Sequence, residues 1–552
     1  MRGRHDHSTD LLPPMKWDAW GDPAAAKPLS DGVRSLLEQA LGVTPTTAPA
    51  LALDEVTVSP SALSNDDRAA LAGIVGDEFC LVDDVGRLLH AGGKSTLDLL
   101  RRRDRGPQDA PDAVLLPADE GQIAAILRHC SEHRIAVVPF GGGTSVVGGL
   151  DPIRGDFTAA VSLDLRRLDA LHWLDEVSGE AELGAGVTGP EAERLLGERG
   201  FSLGHFPQSF CFATIGGFAA TRSSGQDSAG YGRFDDMVRG LRAVTPAGVL
   251  DVGRAPASAA GPDLRQLLVG SEGVFGVITR VRLRVHPVPE ATRYEAWSFP
   301  DFATGATALR AVTQTGSGPT VIRLSDEAET GVNLATTEAI GEQTITGGCL
   351  AVTVFEGTAA HAESRHAETR ALLEAHGGTS LGEEPAKAWE HGRFGAPYLR
   401  DSLLSAGALC ETLETATTWS NIAALKAAVT EALTNALAGG QERRDRGIDE
   451  VSGTSALVLC HISHVYPTGA SLYFTVVAAQ RGNPIEQWRT AKAAASDAIV
   501  RAGGTITHHH AVGADHRPWM RDEVGDLGAD ILRAVKATLD PAGILNPAKL
   551  IP

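Results

Sequence analysis

Val137-Val138-Pro139-Phe140-Gly141-Gly142-Gly143-Thr144-Ser145-Val146-Val147-Gly148-Gly149 is the stretch that decides how this chain is read. The β-branched run from Ile135 to Val138 predicts a strand, and the proline after it opens a loop with five glycines and two hydroxyls. With few Cβ atoms in the way, several backbone N–H groups of such a loop can face one direction and form a nest for a phosphate or pyrophosphate. It is not a Walker loop, because no lysine follows a glycine at the required place. It is a poor dinucleotide fingerprint, because the glycine spacing differs and no helix clearly follows. A glycine-rich turn alone is more often structural than cofactor-binding, so the neighbouring segments have to decide.

The chain has 552 residues with 43% hydrophobic content, enough for a large core and two or three domains. Its 49 basic and 69 acidic residues leave a formal charge of −20, which argues against binding nucleic acid by phosphate neutralisation. The six cysteines are scattered, with no C-x-x-C pair and no zinc-type spacing, and read as reduced thiols. No apolar run approaches the ~20 residues needed to span a bilayer, and MRGRHDHSTD lacks the hydrophobic segment of a secretory signal. The expected location is the cytoplasm, at most peripheral to a membrane.

Residues 1–105 read as an appended helical region, with a helix at Asp31 to Leu41 and another at Leu97 to Arg103. Gly92-Gly93-Lys94-Ser95-Thr96 is a poor P-loop, because Leu88 stands where the first glycine belongs. From Asp112 the pattern becomes strand, helix, strand: Val114 to Leu116, a helix capped at Asp119 with Ile123, Ile126, Leu127 and Cys130 on one face, then Ile135 and the glycine loop. A second cluster of small and hydroxyl residues is Gln208-Ser209-Phe210-Cys211-Phe212-Ala213-Thr214, followed by Ile215-Gly216-Gly217 and Thr221-Arg222-Ser223-Ser224-Gly225. A third is Gly270-Ser271-Glu272-Gly273-Val274-Phe275-Gly276-Val277-Ile278, ahead of an alternating strand through Val285. Three such loops separated by apolar strands favour one extended, phosphate-containing cofactor.

Together these segments resemble the FAD-binding domain of the PCMH-type (vanillyl-alcohol-oxidase) flavoenzyme superfamily, within it the alkylglycerone-phosphate synthase branch. Met15-Lys16-Trp17-Asp18-Ala19-Trp20-Gly21 looks like the opening motif of that branch, His508-His509-His510-Ala511-Val512-Gly513 like its triple-histidine signature, and the ending Leu539 to Lys549 is typical of the group. The resemblance implies an α+β fold: a two-part FAD-binding domain over residues 106–290, a cap with an antiparallel sheet and flanking helices over 291–504, and a segment 505–552 that returns to the flavin. It implies cofactor contacts from Phe140, Gly141, Gly142, Gly143, Thr144, Ser145 and Val146, from Gln208 through Thr214, from Thr221, Arg222, Ser223 and Ser224, and from Glu272 through Ile278. The loop lacks a histidine or cysteine for attachment, so the FAD is expected to be noncovalent.

In the cap, the resemblance assigns Arg323 and Arg400 to the substrate, Arg400 to its phosphate, and makes Tyr473 catalytic with His508, His509 and His510. A planar guanidinium fork suits phosphate or carboxylate oxygens, and a phenol in a flavin pocket acts as acid or base if histidines lower its pKa. If Thr505 to Ala511 is extended, His508 and His510 share one face and His509 takes the other. No third metal ligand is evident beside His508 and His510, so no metal is expected.

The implied reaction exchanges the acyl group of acylglycerone phosphate for a fatty alcohol through a flavin N5 adduct. The terminus Lys549-Leu550-Ile551-Pro552 is not the peroxisomal signal, which leaves open an FAD-linked oxidoreductase acting on a 2-hydroxy acid or related alcohol, or a flavin-binding protein without turnover. The expected partners are a small-molecule or lipid-like anionic substrate and a second copy of the chain as a homodimer.

Overall fold

The β-branched strand that carries the glycine loop lies at one edge of a four-stranded sheet. Ile135–Phe140 pairs in parallel with Ala159–Asp164, which pairs in parallel with Ala113–Leu115, and Cys80–Leu81 adds an antiparallel edge. The connecting helix Glu120–His133 starts where the Asp119 carboxylate accepts the Gln122 N–H, and it buries Ile123, Ile126, Leu127 and Cys130 against the sheet. A second, antiparallel sheet follows, in the order Leu171–Asp175, Glu180–Gly184, Val277–Arg284, Val238–Thr245, Gly248–Val252. One continuous apolar core joins both sheets. This is a computed structural model, and it describes residues 14–26, 28–43, 51–103, 106–336, 348–438 and 456–552. Among them, no helix is long and apolar enough to cross a membrane.

The cap is a seven-stranded antiparallel sheet in the order Thr379–Gly382, Ala291–Phe299, Cys349–Gly357, Val321–Ser325, Leu457–Tyr466, Gly469–Ala479, Ala408–Thr418. Alternation along its strands gives it two unlike faces. Ile322, Leu324, Cys460, Ile462, Leu472, Phe474 and Val476 pack with the helices Phe302–Thr315, Ile422–Leu437 and Pro484–Arg501 in a second core. Arg323, His461, Tyr473 and Glu414 occupy the alternate positions and form the opposite, polar face. The α+β class and the antiparallel cap agree with the sequence reading.

The first hundred residues are not a separate appendage. The helix Asn65–Val75 shares the first core with Glu120–His133, and Thr96–Arg102 inserts Leu97, Leu99 and Leu100 into the cap core. The Trp20 N–H donates to Asp401 of the cap at 2.5 Å. The helix at Asp31–Leu41 has the bounds read from sequence, with Ser30 as its cap and Gly42 in the left-handed region closing it. At the other end the chain returns to the glycine strand: Val137 donates to Ile544 and accepts from Asn546, each at 2.8 Å.

Candidate functional site

The three glycine-bearing segments converge. A Cβ on Gly142 would lie 2.0 Å from the Phe212 carbonyl oxygen, one on Gly141 would lie 2.5 Å from Thr214 Oγ1, and one on Gly273 would lie 2.7 Å from Pro139. Gly143 has φ +69°, which its lack of a side chain permits. Gly270 and Glu272 donate their N–H groups to the carbonyls of Ala219 and Ala220, so the third segment is sewn to the helix Ile215–Thr221 that follows the second. The Asn546 side-chain amide then ties Gly149 O (3.1 Å) to Glu272 O (2.7 Å). Among the described residues, none of the N–H groups from Gly141 to Val147 donates to a protein acceptor. Buried backbone donors are rarely left so. The row of free donors, together with the unpartnered buried Gln208 Nε2 of the second segment and Ser271 Oγ of the third, fits the phosphates and polar edge of FAD.

Several residues expected at the cofactor have side chains committed elsewhere. The Glu272 carboxylate accepts the Val512 N–H (2.6 Å) and the Gly513 N–H (2.8 Å), and burial pushes its pKa up to about 7. Arg222 pairs with Asp235 at 2.9 Å and with Gln266 at 2.8 Å, and Thr221 returns a bond to Gly217 O. Ser223 meets His205, and Ser224 meets His464 of the cap at 3.1 Å. Ser209 O accepts from Phe212 and Ala213, Phe210 stacks with Phe394, and Cys211 is exposed. Phe140, Val274, Phe275, Val277 and Ile278 bury their side chains, and Gly276 sits against Thr245. Thr144, Ser145 and Val146 are half-buried in the loop, where Ser145 O accepts the Lys94 N–H at 2.6 Å. These segments therefore offer FAD chiefly backbone.

The other half of the site is built on one carboxylate. Glu414, with a fully buried side chain, accepts the N–H groups of His508 (2.6 Å), His509 (3.1 Å) and His510 (2.9 Å) and the hydroxyl of Thr507 (2.6 Å). Burial alone would raise Glu414, but its pKa lies well below the usual carboxylate range, because the charge that His509, His510 or His508 would take up on protonation, and the Thr507 hydroxyl it accepts, favour the anion. Three consecutive N–H groups on one anion require a curved backbone, so residues 505–511 form no strand and Ala511 turns to φ +72°. The extended backbone on which the expected split, His509 against His508 and His510, depended is therefore absent, and successive rings are neighbours, with centroids 5.2 Å apart for His508 and His509 and 4.8 Å apart for His509 and His510.

Tyr473 lies directly across the ladder from Glu414 and from His461. Its ring stacks on His461 with centroids 4.9 Å apart, parallels His509 at 6.0 Å and meets the edge of His510 at 5.6 Å. A register shift between Ile462 and Val465 re-aims His464 toward the same space, where its Nδ1 meets Ser224 and Ser228. His508 holds His509 through Nδ1 atoms 3.0 Å apart and Tyr466 through Nε2 at 2.5 Å. One ring nitrogen each from His464, His508 and His509 falls within 4.8 Å of the others, a grouping that His508 and His510 do not make. Burial lowers all of these histidines, His510 to about 3, so the imidazoles are neutral. The same burial, reinforced by Glu411 and Glu414, raises Tyr473. Its phenol is therefore kept protonated, contrary to the expectation that the histidines lower it.

The two arginines take different places. Arg323 pairs with Glu329, whose other oxygen meets His461 Nδ1 at 2.8 Å, so Arg323, Glu329, His461 and Tyr473 form one line across the polar face. Burial would raise Glu329, but His461 and Arg323 outweigh it and bring it to about 2. Arg400 is buried on the helix Ala396–Ser405, with Nε and Nη2 on Asp401 Oδ1 (3.1 and 3.0 Å) and Nη1 on Lys94 O (2.6 Å). Burial works against its charge, and Asp401 and Glu411 restore it. Glu414, Glu329, His461, His464 and Tyr466 were absent from the sequence reading, because an isolated acid or histidine in a strand carries no local signal of its partners.

The fold and this arrangement define an FAD-dependent enzyme. Residues 111–253 match the FAD binding domain family, and residues 288–550 match the family of FAD linked oxidases, C-terminal domain. The chain belongs to the alkyldihydroxyacetonephosphate synthase family. It is 32% identical to the Trypanosoma brucei brucei alkyldihydroxyacetonephosphate synthase over 99% of this chain and 93% of that one, and 31% identical to the Dictyostelium discoideum synthase over 98% and 94%. A solved structure of alkyldihydroxyacetonephosphate synthase superposes with a TM-score of 0.82 at 28% identity, covering 99% of this chain and 100% of that one. The family also reaches oxidoreductases, among them the Arabidopsis thaliana mitochondrial D-lactate dehydrogenase [cytochrome], 29% identical over 80% of this chain and 74% of that one.

Proposed function

We propose that this enzyme exchanges the acyl group of acylglycerone phosphate for a fatty alcohol, the step that makes the ether bond of an ether lipid. The observation that carries the proposal is a protonated phenol set among neutral imidazoles: Tyr473 lies across the ladder from Glu414, with the His509 and His510 rings 6.0 and 5.6 Å away, and the buried guanidinium of Arg400 is close enough to act on its ionisation. A guanidinium has five N–H donors, and the three contacts of Arg400 do not exhaust them, which leaves donors for a phosphate. Held by the backbone cradle, FAD supplies an electrophilic ring nitrogen and an electron sink. A neutral imidazole of the His508–His510 group takes the proton from the ester-bearing carbon. With FAD bound, the bond from that carbon to the acyl oxygen would break with its electron pair leaving on the carboxylate, which the protonated Tyr473 hydroxyl would hold by donating a hydrogen bond. The fatty alcohol oxygen would then bond to the carbon, its proton leaving with the carboxylate, and the imidazolium would return the first proton to the carbon. Burial of the trio excludes water that would intercept the reaction.

The likeness to D-lactate dehydrogenase favours a second reading, oxidation of a 2-hydroxy acid with FAD as hydride acceptor. Anaerobic incubation of the purified yellow protein separates the two. Palmitoyl-glycerone phosphate with hexadecanol should release palmitate and yield the alkyl product, with the flavin oxidised at the end. Lasting bleaching by a 2-hydroxy acid, with no alkyl product from the other pair, would overturn the proposal.

A further inference from the structure

Away from this site, the helices Asn65–Val75 and Glu120–His133 bring together a second group of metal-ligand side chains: Asp67, His129 and His133. The geometry points to a binding site there for a divalent transition-metal ion of the Zn²⁺ class, with two imidazole nitrogens and one carboxylate oxygen as protein ligands and water completing the shell.

His129 and His133 stand four residues apart on the last turns of their helix, so both rings leave the same face. They stack with centroids 4.1 Å apart and planes 18° from parallel. Their nitrogens converge on one atom, Asp67 Oδ1, His129 Nε2 at 3.0 Å and His133 Nδ1 at 2.7 Å. The carboxylate is fixed before any ligand arrives: Ser64 caps the helix by accepting the Asp67 N–H at 3.1 Å and places its hydroxyl on Asp67 Oδ2 at 2.5 Å. Oδ1 is thus the oxygen turned to the histidines. All three ligand atoms lie within 4.8 Å of one another. Zinc bonds of about 2.0–2.1 Å in a tetrahedral shell need ligand atoms roughly 3.4 Å apart, so small rotations of the rings close the site. His133 is half exposed, which leaves an entry path for a hydrated ion. The donor set suits zinc, nickel or copper rather than magnesium or calcium. Such an ion would staple the N-terminal helix to the first sheet of the FAD-binding part, whose core the two helices share.

The test is calorimetric titration of Zn²⁺ into the untagged, chelator-treated, FAD-loaded full chain at pH 7.5. One binding event is expected that disappears in the H129Q/H133Q variant and weakens at least tenfold in Asp67→Asn, with flavin content unchanged in both. The same isotherm from wild type and double variant, or no binding by wild type, overturns the site. Should the double variant not fold, His133→Gln alone carries the same comparison, because that residue is half exposed at a helix end.

Discussion

The cradle and the roof of the site face each other but are made of opposite materials. Between Gly141 and Val147 the chain contributes free backbone N–H groups, and the neighbouring side chains are buried or committed to one another. Between Glu414, Tyr473 and the histidines almost everything is side chain, and the backbone serves only to anchor the trio on a buried anion. A backbone site is broken by adding atoms, a side-chain site by removing them. The two halves should therefore fail in different ways.

The largest effect is expected from Gly142→Ala. Even a single methyl would stand 2.0 Å from the Phe212 carbonyl, so the loops must part and the purified protein should hold less than about a tenth of its flavin, read from the ratio of visible to ultraviolet absorbance. A fully yellow, fully active Gly142→Ala would show that the loops do not form one cradle. Tyr473→Phe keeps the stack on His461 and removes only the hydroxyl. Turnover should fall ~10²–10⁴-fold at unchanged flavin content, and a loss under threefold would remove Tyr473 from the chemistry.

Glu414→Gln trades the anion beneath the trio for an amide whose N–H groups point at other donors. Loss of roughly 3–5 kcal/mol is expected in denaturant unfolding, with the flavin retained in the folded fraction. Unchanged stability would mean that Glu414 does not organise the roof.

The smallest effect is a contrast in pH dependence. His510 falls from 6.5 to about 3 in the folded protein, so the stability of its neutral form is intact above pH 6.5 and drains away as pH falls below it. Glu329, at about 2 against an ordinary 4.5, adds a loss in the same direction below pH 4.5. Glu272 runs the other way. Raised from 4.5 to about 7, its contribution is present below pH 4.5 and is lost as pH rises through 7. Glu272→Gln keeps an oxygen for the Val512 and Gly513 N–H groups, so it should raise Tm by about 2 °C or more at pH 8 and leave the acid limb alone. An unchanged alkaline limb would refute that assignment.

The same contrast explains what could be read in advance. Glycine spacing and β-branched runs are local, and they placed the Ile135 strand, its loop and the capped helix at Glu120, whose buried positions Ile123, Ile126, Leu127 and Cys130 all proved to be core. The triple histidine was recognised but its geometry was not. Alternation assumes a strand partner, and residues 505–511 have Glu414 instead, some ninety residues away. The N-terminal segment was misjudged for a related reason: nothing between Met15 and Arg103 announces that its leucines complete the cap core.

By itself the sequence determined the sites where a Cβ is not tolerated, the α+β rhythm and the family to which the chain belongs, because these depend on residue type and short spacing. Tertiary structure alone decided which groups meet. It placed Glu414 under three N–H groups, turned His464 inward at a bulge and closed Arg323, Glu329 and His461 into a line ending at Tyr473. Ionisation belongs to the same side of the division, since the field at a buried proton is set by charges that chain order does not bring together.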